Sequence, residues 1–158
     1  MATVEEFLLS RNITFVLHNH PPVYTCEELA QYAVPGLPCK NLLVRDQKKK
    51  RYFLVILPAS GRTDLKKLGE IAGEKLSFAS PGSLMEKLGV EPGAVSPFGL
   101  INDGKDEVEV YIARPVYDAD VVHFHPNRNT ASLELTGEMF RRFLKNVNNK
   151  IHVIDLSA

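Results

Sequence analysis

At 158 residues, with 44% hydrophobic and 24% charged side chains, the chain can bury a core without staples, and a single domain over 1–158 is expected. Lysine plus arginine (19) balances aspartate plus glutamate (19), which argues against a protein that coats nucleic acid through many phosphate contacts and leaves room for one local basic patch. Cys26 and Cys39 are too few for a disulfide framework and no apolar run approaches ~18 residues, so a soluble, cytoplasmic protein with reduced thiols and no membrane contact is expected.

Thr3 and Glu6 stand at capping-box spacing and predict a short helix ending near Arg11-Asn12. Ile13 to Leu17 reads as a strand, broken by His18-Asn19-His20-Pro21-Pro22. Thr25 and Glu28 repeat the box for a helix from about Cys26 to Tyr32, with Tyr24 and Leu29 placed as a hydrophobic staple. Gly36-Leu37-Pro38 is a turn leading into Leu42-Leu43-Val44, a strand covered on both faces with Lys40 at its mouth. Asp46 to Arg51 reads as a hairpin turn with its charges in water, followed by a central strand from Tyr52 to Leu57.

Apolar residues at three- and four-residue spacing make Arg62 to Ala72 an amphipathic helix capped by Thr63 or Asp64. Lys75 to Ala79 is a short strand, and Ser80-Pro81 opens a helix that Gly89 closes. Glu91 to Gly99, with two prolines and two glycines, is a long irregular loop of fixed backbone geometry. Strands follow at Val108 to Ala113, Val121 to His125 and Ala131 to Leu135. Thr136 then caps a helix with Met139, Phe140, Phe143, Leu144 and Val147 on one stripe, and Ile151 to Leu156 is a closing strand. This alternation points to α+β or α/β layering.

Three stretches have chemical potential. Lys40 either snorkels over the sheet end or presents a cation from a rigid element to an anion. The Gly93 to Pro97 loop is either a rigid connector or a cradle whose backbone groups position water or an oxyanion. His123 and His125 point to one face of an extended strand and would suit zinc with a third ligand, yet no Asp, Glu or Cys completes a ligand spacing. Cys39 beside Lys40 is a candidate for a lowered thiol pKa, without a legible Cys-His arrangement. Nucleophile-elbow, Walker and dinucleotide-binding motifs are absent from the sequence.

Lys40-Asn41-Leu42-Leu43-Val44-Arg45-Asp46, Gly93 to Asp103, and Phe124-His125-Pro126-Asn127 with Asn129-Thr130-Ala131 together resemble the prolyl-tRNA editing proteins of the YbaK/ProX superfamily. Pro21 to Thr25 and Leu76 to Pro81 extend the resemblance over nearly the whole chain, from about Phe7 to Leu156. It implies an α+β single domain with a mixed, mostly antiparallel, partly barrel-like sheet and flanking helices. It also implies hydrolysis of the ester in mischarged proline tRNA, alanyl-tRNA(Pro) foremost, with cysteinyl-tRNA(Pro) or another small species as alternative. A catalytically silent tRNA or amino-acid binding module is the other alternative.

On that resemblance Lys40, Gly93, Pro97 and His125 are the catalytic set. Lys40 holds the terminal phosphate or ribose region, Gly93 to Pro97 position carbonyl and water, and His125 forms the pocket. Asn41, Ala94, Val95, Ser96, Asn127 and Thr130 contact substrate. No cofactor and no metal are implied. The partners are the tRNA(Pro) acceptor end and prolyl-tRNA synthetase. Contact with tRNA is expected through Lys40, Arg45, Lys48 to Arg51, Arg62, Lys66 and Lys67. Cys39 stands where the family often has threonine and His123 where asparagine is common, and both bear on pocket polarity.

Overall fold

Residues 3–156 are described by the computed structural model, which opens on the first capping box. Thr3 Oγ accepts from the Glu6 amide and the Glu6 carboxylate accepts from the Thr3 amide, at 3.1 and 3.0 Å, so α1 (Val4–Ser10) starts with orphan donors satisfied. At its other end Asn12 takes a left-handed φ of 60°, its amide bonds Leu9 O, and the Ile13 amide bonds Leu8 O. This is a Schellman closure, and Ile13 with Leu8, both fully buried, is its apolar lock. Ile13 therefore does not start a strand as its β-branch suggested. β1 is Val16–Asn19 and includes His18.

The helix α2 (Cys26–Ala30) is capped by Thr25 as expected and stops before Tyr32. β2 (Cys39–Asp46) and β3 (Tyr52–Pro58) form the predicted hairpin, with Lys40 opposite Leu57. Its turn departs from expectation. Asp46 is buried, its carboxylate accepting from the amides of Lys50 (2.8 Å) and Arg51 (3.1 Å), which hold its pKa below the usual carboxylate range. Arg51 is paired with Glu74 and Glu109 at 3.2 and 3.0 Å, so only the middle of the turn is left to water.

Then come α3 (Leu65–Ala72), capped by Asp64, β4 (Leu76–Phe78), and α4 (Pro81–Leu88), capped by Ser80 and ended by left-handed Gly89. The expected loop condenses into two 3-10 turns, Pro92–Ala94 and Pro97–Asn102. β5 (Val108–Ala113), β6 (Val121–Phe124), β7 (Ala131–Thr136), α6 (Gly137–Lys145) and β8 (Ile151–Ile154) follow the predicted order. A short α5 (Arg114–Tyr117) between β5 and β6 was not expected.

The strands pair as a sheet in the order β4-β2-β3-β5-β8 and a smaller one in the order β1-β7-β6. Pairing is antiparallel except along β3-β5 and β5-β8, where parallel strands are reached by helical crossovers. Neither sheet closes on itself. They are stitched by a bridge between Leu37 and Val122, with the Leu37 amide 2.9 Å from Val121 O. Gly36 permits this approach: its φ is 116° and an added Cβ would lie 2.8 Å from the Val122 backbone.

The core lies between the sheets and helices. Phe53 to Ile56 are wholly buried in β3, and Phe143 of α6 packs edge-on to Phe98 (5.0 Å between centroids) and Phe7 (6.2 Å). Among the described residues no helix is long and apolar enough to cross a membrane.

Candidate active site

Lys40 is the second residue of β2, half-buried, and its Nζ donates to Gly61 O at 2.9 Å in the loop after β3. The ammonium is thus held at the sheet end by a fixed carbonyl. Beside it a cleft of about 280 Å³ is walled by Tyr24 to Cys26 at the start of α2, Cys39 to Leu42 of β2, Gly93 and Val95 of the first 3-10 segment, and His125. Lys40, Asn41, Gly93, Val95 and His125 are therefore brought together. Asn41 contributes a buried Oδ1 that has no hydrogen-bond partner among the described residues.

His125 follows β6, and its Nδ1 lies 2.8 Å from Ala131 O. A carbonyl only accepts, so Nδ1 carries the proton and Nε2 keeps its lone pair. Burial pushes the His125 pKa down, against the opposing pull of the Ala131 carbonyl, with His20 and His123 adding to the depression. The ring is a neutral acceptor near pH 7. His20 meets it edge-on at 5.9 Å and is itself held by Pro21 O and Ser132 Oγ, both at 2.9 Å.

Gly93 is glycine for a local reason. A Cβ there would lie 2.9 Å from the Tyr24 ring and 3.2 Å from Asn129 Nδ2. Tyr24, read from sequence as a staple, instead lies over Gly93 and is 71% exposed. It was missed as a cleft residue because an aromatic before a helix cap is ordinarily a packing signal, and only the distant Gly93 reveals its other neighbour.

The remaining expected residues sit elsewhere. Ser96 is buried: its Oγ accepts from the Phe98 amide at 3.0 Å and donates to Asn127 Oδ1 at 3.3 Å, while Asn127 Nδ2 donates to Phe98 O at 3.4 Å. Pro97, also buried, begins the second 3-10 turn. These three knit the glycine-proline loop to the His-Pro loop from behind. Ala94, Asn127 and Thr130 line a different cleft of about 230 Å³, which shares Tyr24 and Gly93 with the first.

The His123 ring is buried with Nδ1 3.1 Å from Pro35 O, and burial pushes its pKa down. It lines a separate hollow with Cys26 and Cys39, so the two histidines do not serve one site. Among the described residues no three His, Cys, Asp or Glu side chains gather at metal-binding spacing. Cys39 runs opposite to expectation: burial, with Cys26 adding, pushes its thiol up to about 12. Its Sγ donates to Leu37 O at 3.2 Å, and it is a neutral wall group.

Fold and cleft together define a protein whose sheet end presents a cation, a glycine turn and a neutral histidine to one small hollow. Residues 20–143 match the family model of the aminoacyl-tRNA editing domain, and the chain belongs to that family. It is 37% identical over 147 residues to the prolyl-tRNA editing protein ProX of Acetoanaerobium sticklandii, covering 91% of this chain and 90% of that one. It is 31% identical over 155 residues to the prolyl-tRNA synthetase associated domain-containing protein 1 of Bos taurus, covering 94% and 90%. Among solved structures, a hypothetical protein (22% identity, TM-score 0.75, covering 95% of this chain and 97% of that one) has the same fold. So does a candidate trans-editing enzyme for prolyl tRNA synthetase (19% identity, TM-score 0.73, 95% and 92%).

Proposed function

We propose that this protein is a trans-editing deacylase that hydrolyses the ester of mischarged proline tRNA, with alanyl-tRNA(Pro) as its main substrate. The convergence of Lys40, Gly93 and His125 on one cleft of about 280 Å³ carries the reading. Family membership and the ProX relative support it.

An aminoacyl ester is already activated, so the site needs no covalent nucleophile if it orients water and stabilises the oxyanion. Water adds to the carbonyl carbon, the bond from that carbon to the ribose oxygen breaks, and the ribose hydroxyl leaves with a proton. Lys40, tied to Gly61 O, anchors the ribose or its phosphate. Backbone at Gly93 and Val95 faces the carbonyl, and Nε2 of His125 accepts a hydrogen bond from the attacking water. Pro97, Ser96 and Asn127 hold that backbone in place, and Asn41 is assigned to contact the substrate from the cleft wall beside Lys40. Ala94 and Thr130 line the flanking cleft and are assigned to contact a part of the substrate other than its terminal nucleotide.

A synthetase pocket shaped for proline rejects alanine weakly, because one methylene is worth only about 1–3 kcal/mol, and a second, smaller pocket removes what the first admits. The protein acts in the cytoplasm on tRNA released by prolyl-tRNA synthetase, consistent with its free thiols. Lys40→Ala is expected to lower deacylation of alanyl-tRNA(Pro) by about 10²- to 10³-fold with an unchanged circular dichroism spectrum. A panel of alanyl, cysteinyl, seryl and prolyl esters ranks the substrates. Full activity in Lys40→Ala, or equal rates on the prolyl ester, would overturn the reading.

A further inference from the structure

Lys40 also lines a second cleft, of about 500 Å³, whose walls do not include Gly93 or His125. It lies beyond Leu57-Pro58 at the end of β3, Ala113 at the end of β5, and Asp155 just after β8. These three strands are the parallel set, so the cleft sits at the carboxyl ends of parallel strands, where open sheets leave a crevice suited to ligands. The neighbouring hollow beside Gly93, about 280 Å³, is too small to enclose an aminoacyl nucleotide as well as its amino acid.

We infer that this cleft binds the terminal nucleoside 5′-monophosphate of the tRNA, an assignment that rests on the deacylase reading. Pro58 and Pro115 offer apolar surface to the face of a base. Arg62 and Arg114 are exposed at its edge. Arg114 spends Nε on Asp155 Oδ1 at 2.9 Å, and its two terminal nitrogens have no hydrogen-bond partner among the described residues. A guanidinium steadied through Nε presents that remaining pair as a fork to a phosphate. Arg62 likewise makes no ion pair among the described residues. The carboxylates of Asp118 and Asp155 keep the cleft from being a general anion trap, and Asp155 Oδ2 is an acceptor for a ribose hydroxyl or a base amino group.

Lys40 is common to both clefts, so one ester bond held near it has its acyl side toward His125 and its nucleoside side toward Arg114. The rival position for the base is the exposed Tyr24 ring, on the other flank of the smaller cleft.

The test is titration of the ¹⁵N-labelled protein with adenosine 5′-monophosphate and with the trinucleotide CCA, alongside steady-state deacylation. Amide shifts are expected at Ser60 to Arg62 and Ala113 to Asp118. Arg62→Gln with Arg114→Gln is expected to weaken both nucleotides about tenfold and raise KM for alanyl-tRNA(Pro) similarly, with kcat changed less than about twofold. Arg114→Lys is expected to restore only part, because it returns the charge without the fork. Shifts confined to Tyr24 and Asn127, no shifts at millimolar nucleotide, or unaltered affinity in the double glutamine variant would overturn the assignment. Nucleotide binding is read without any mischarged tRNA, so its failure in an active deacylase removes only the cleft assignment, and absent deacylation alone removes the editing reading.

Discussion

His125 and His123 stand two positions apart and are pushed the same way by burial, yet they do different work. One lines the cleft beside Lys40, while the other is bonded to Pro35 O and lines a separate hollow. Both pKa values lie below the ordinary histidine value of about 6.5, so in the acid window beneath it the unfolded chain binds more protons than the folded one. The histidine contribution is therefore fully present above pH of about 6.5 and is lost as pH falls toward the depressed folded values. The urea midpoint should drop between pH of about 7.5 and 5.5, above the range where carboxylates titrate, and His123→Gln should flatten that drop. A wild-type midpoint that stays level across this interval would contradict the burial argument.

At the scale of elements, the helix α6 is attached through aromatic edges. Phe143 is fully buried against Phe98 of the second 3-10 turn and Phe7 of α1, and Phe140 meets Phe124 of β6 at 4.9 Å. The same turn carries the backbone behind Ser96 and Pro97, so α6 supports the floor of the site. Phe143→Ala should cost about 3–5 kcal/mol, a fall in melting temperature on the order of 10 °C. Calorimetry checks it, and a loss below about 1 kcal/mol would show that the cluster does not bind the elements together. The Thr3–Glu6 capping box, the Thr25 cap, the central strand β3 and the apolar stripe of α6 were legible because each is a local pattern of hydrogen-bonding and apolar residues. Ile13 was misread because its β-branch speaks for a strand, whereas its place three residues after Ser10, the last residue of α1, makes it the closing lock.

For the whole molecule, neutrality limits how tRNA is held. Arg51 is taken up by Glu74 and Glu109, and Lys67 Nζ donates to Leu156 O at 3.0 Å, so two cations expected to meet tRNA already have partners. With few phosphates contacted, log affinity for tRNA should fall with log salt at a shallow slope, on the order of −0.7 to −0.9 per phosphate. Filter binding across a salt series measures this. A slope of zero, or one as steep as that of a protein covering many phosphates, would contradict acceptor-end binding.

What the chain alone determined about Lys40 was that a cation stands at the mouth of a strand, and its family motifs tied it to Gly93 and His125. Those segments carry their identity in contiguous residues, which is why they could be read without coordinates. Tertiary structure alone decided that Gly61 O holds the ammonium, that Tyr24 overlies Gly93, and that Cys39 is driven up instead of down. It also put Arg114 beside the ends of three parallel strands. Each of these depends on desolvation or on contacts between segments far apart in the chain, and such contacts exist only once β2, β3 and β5 have paired.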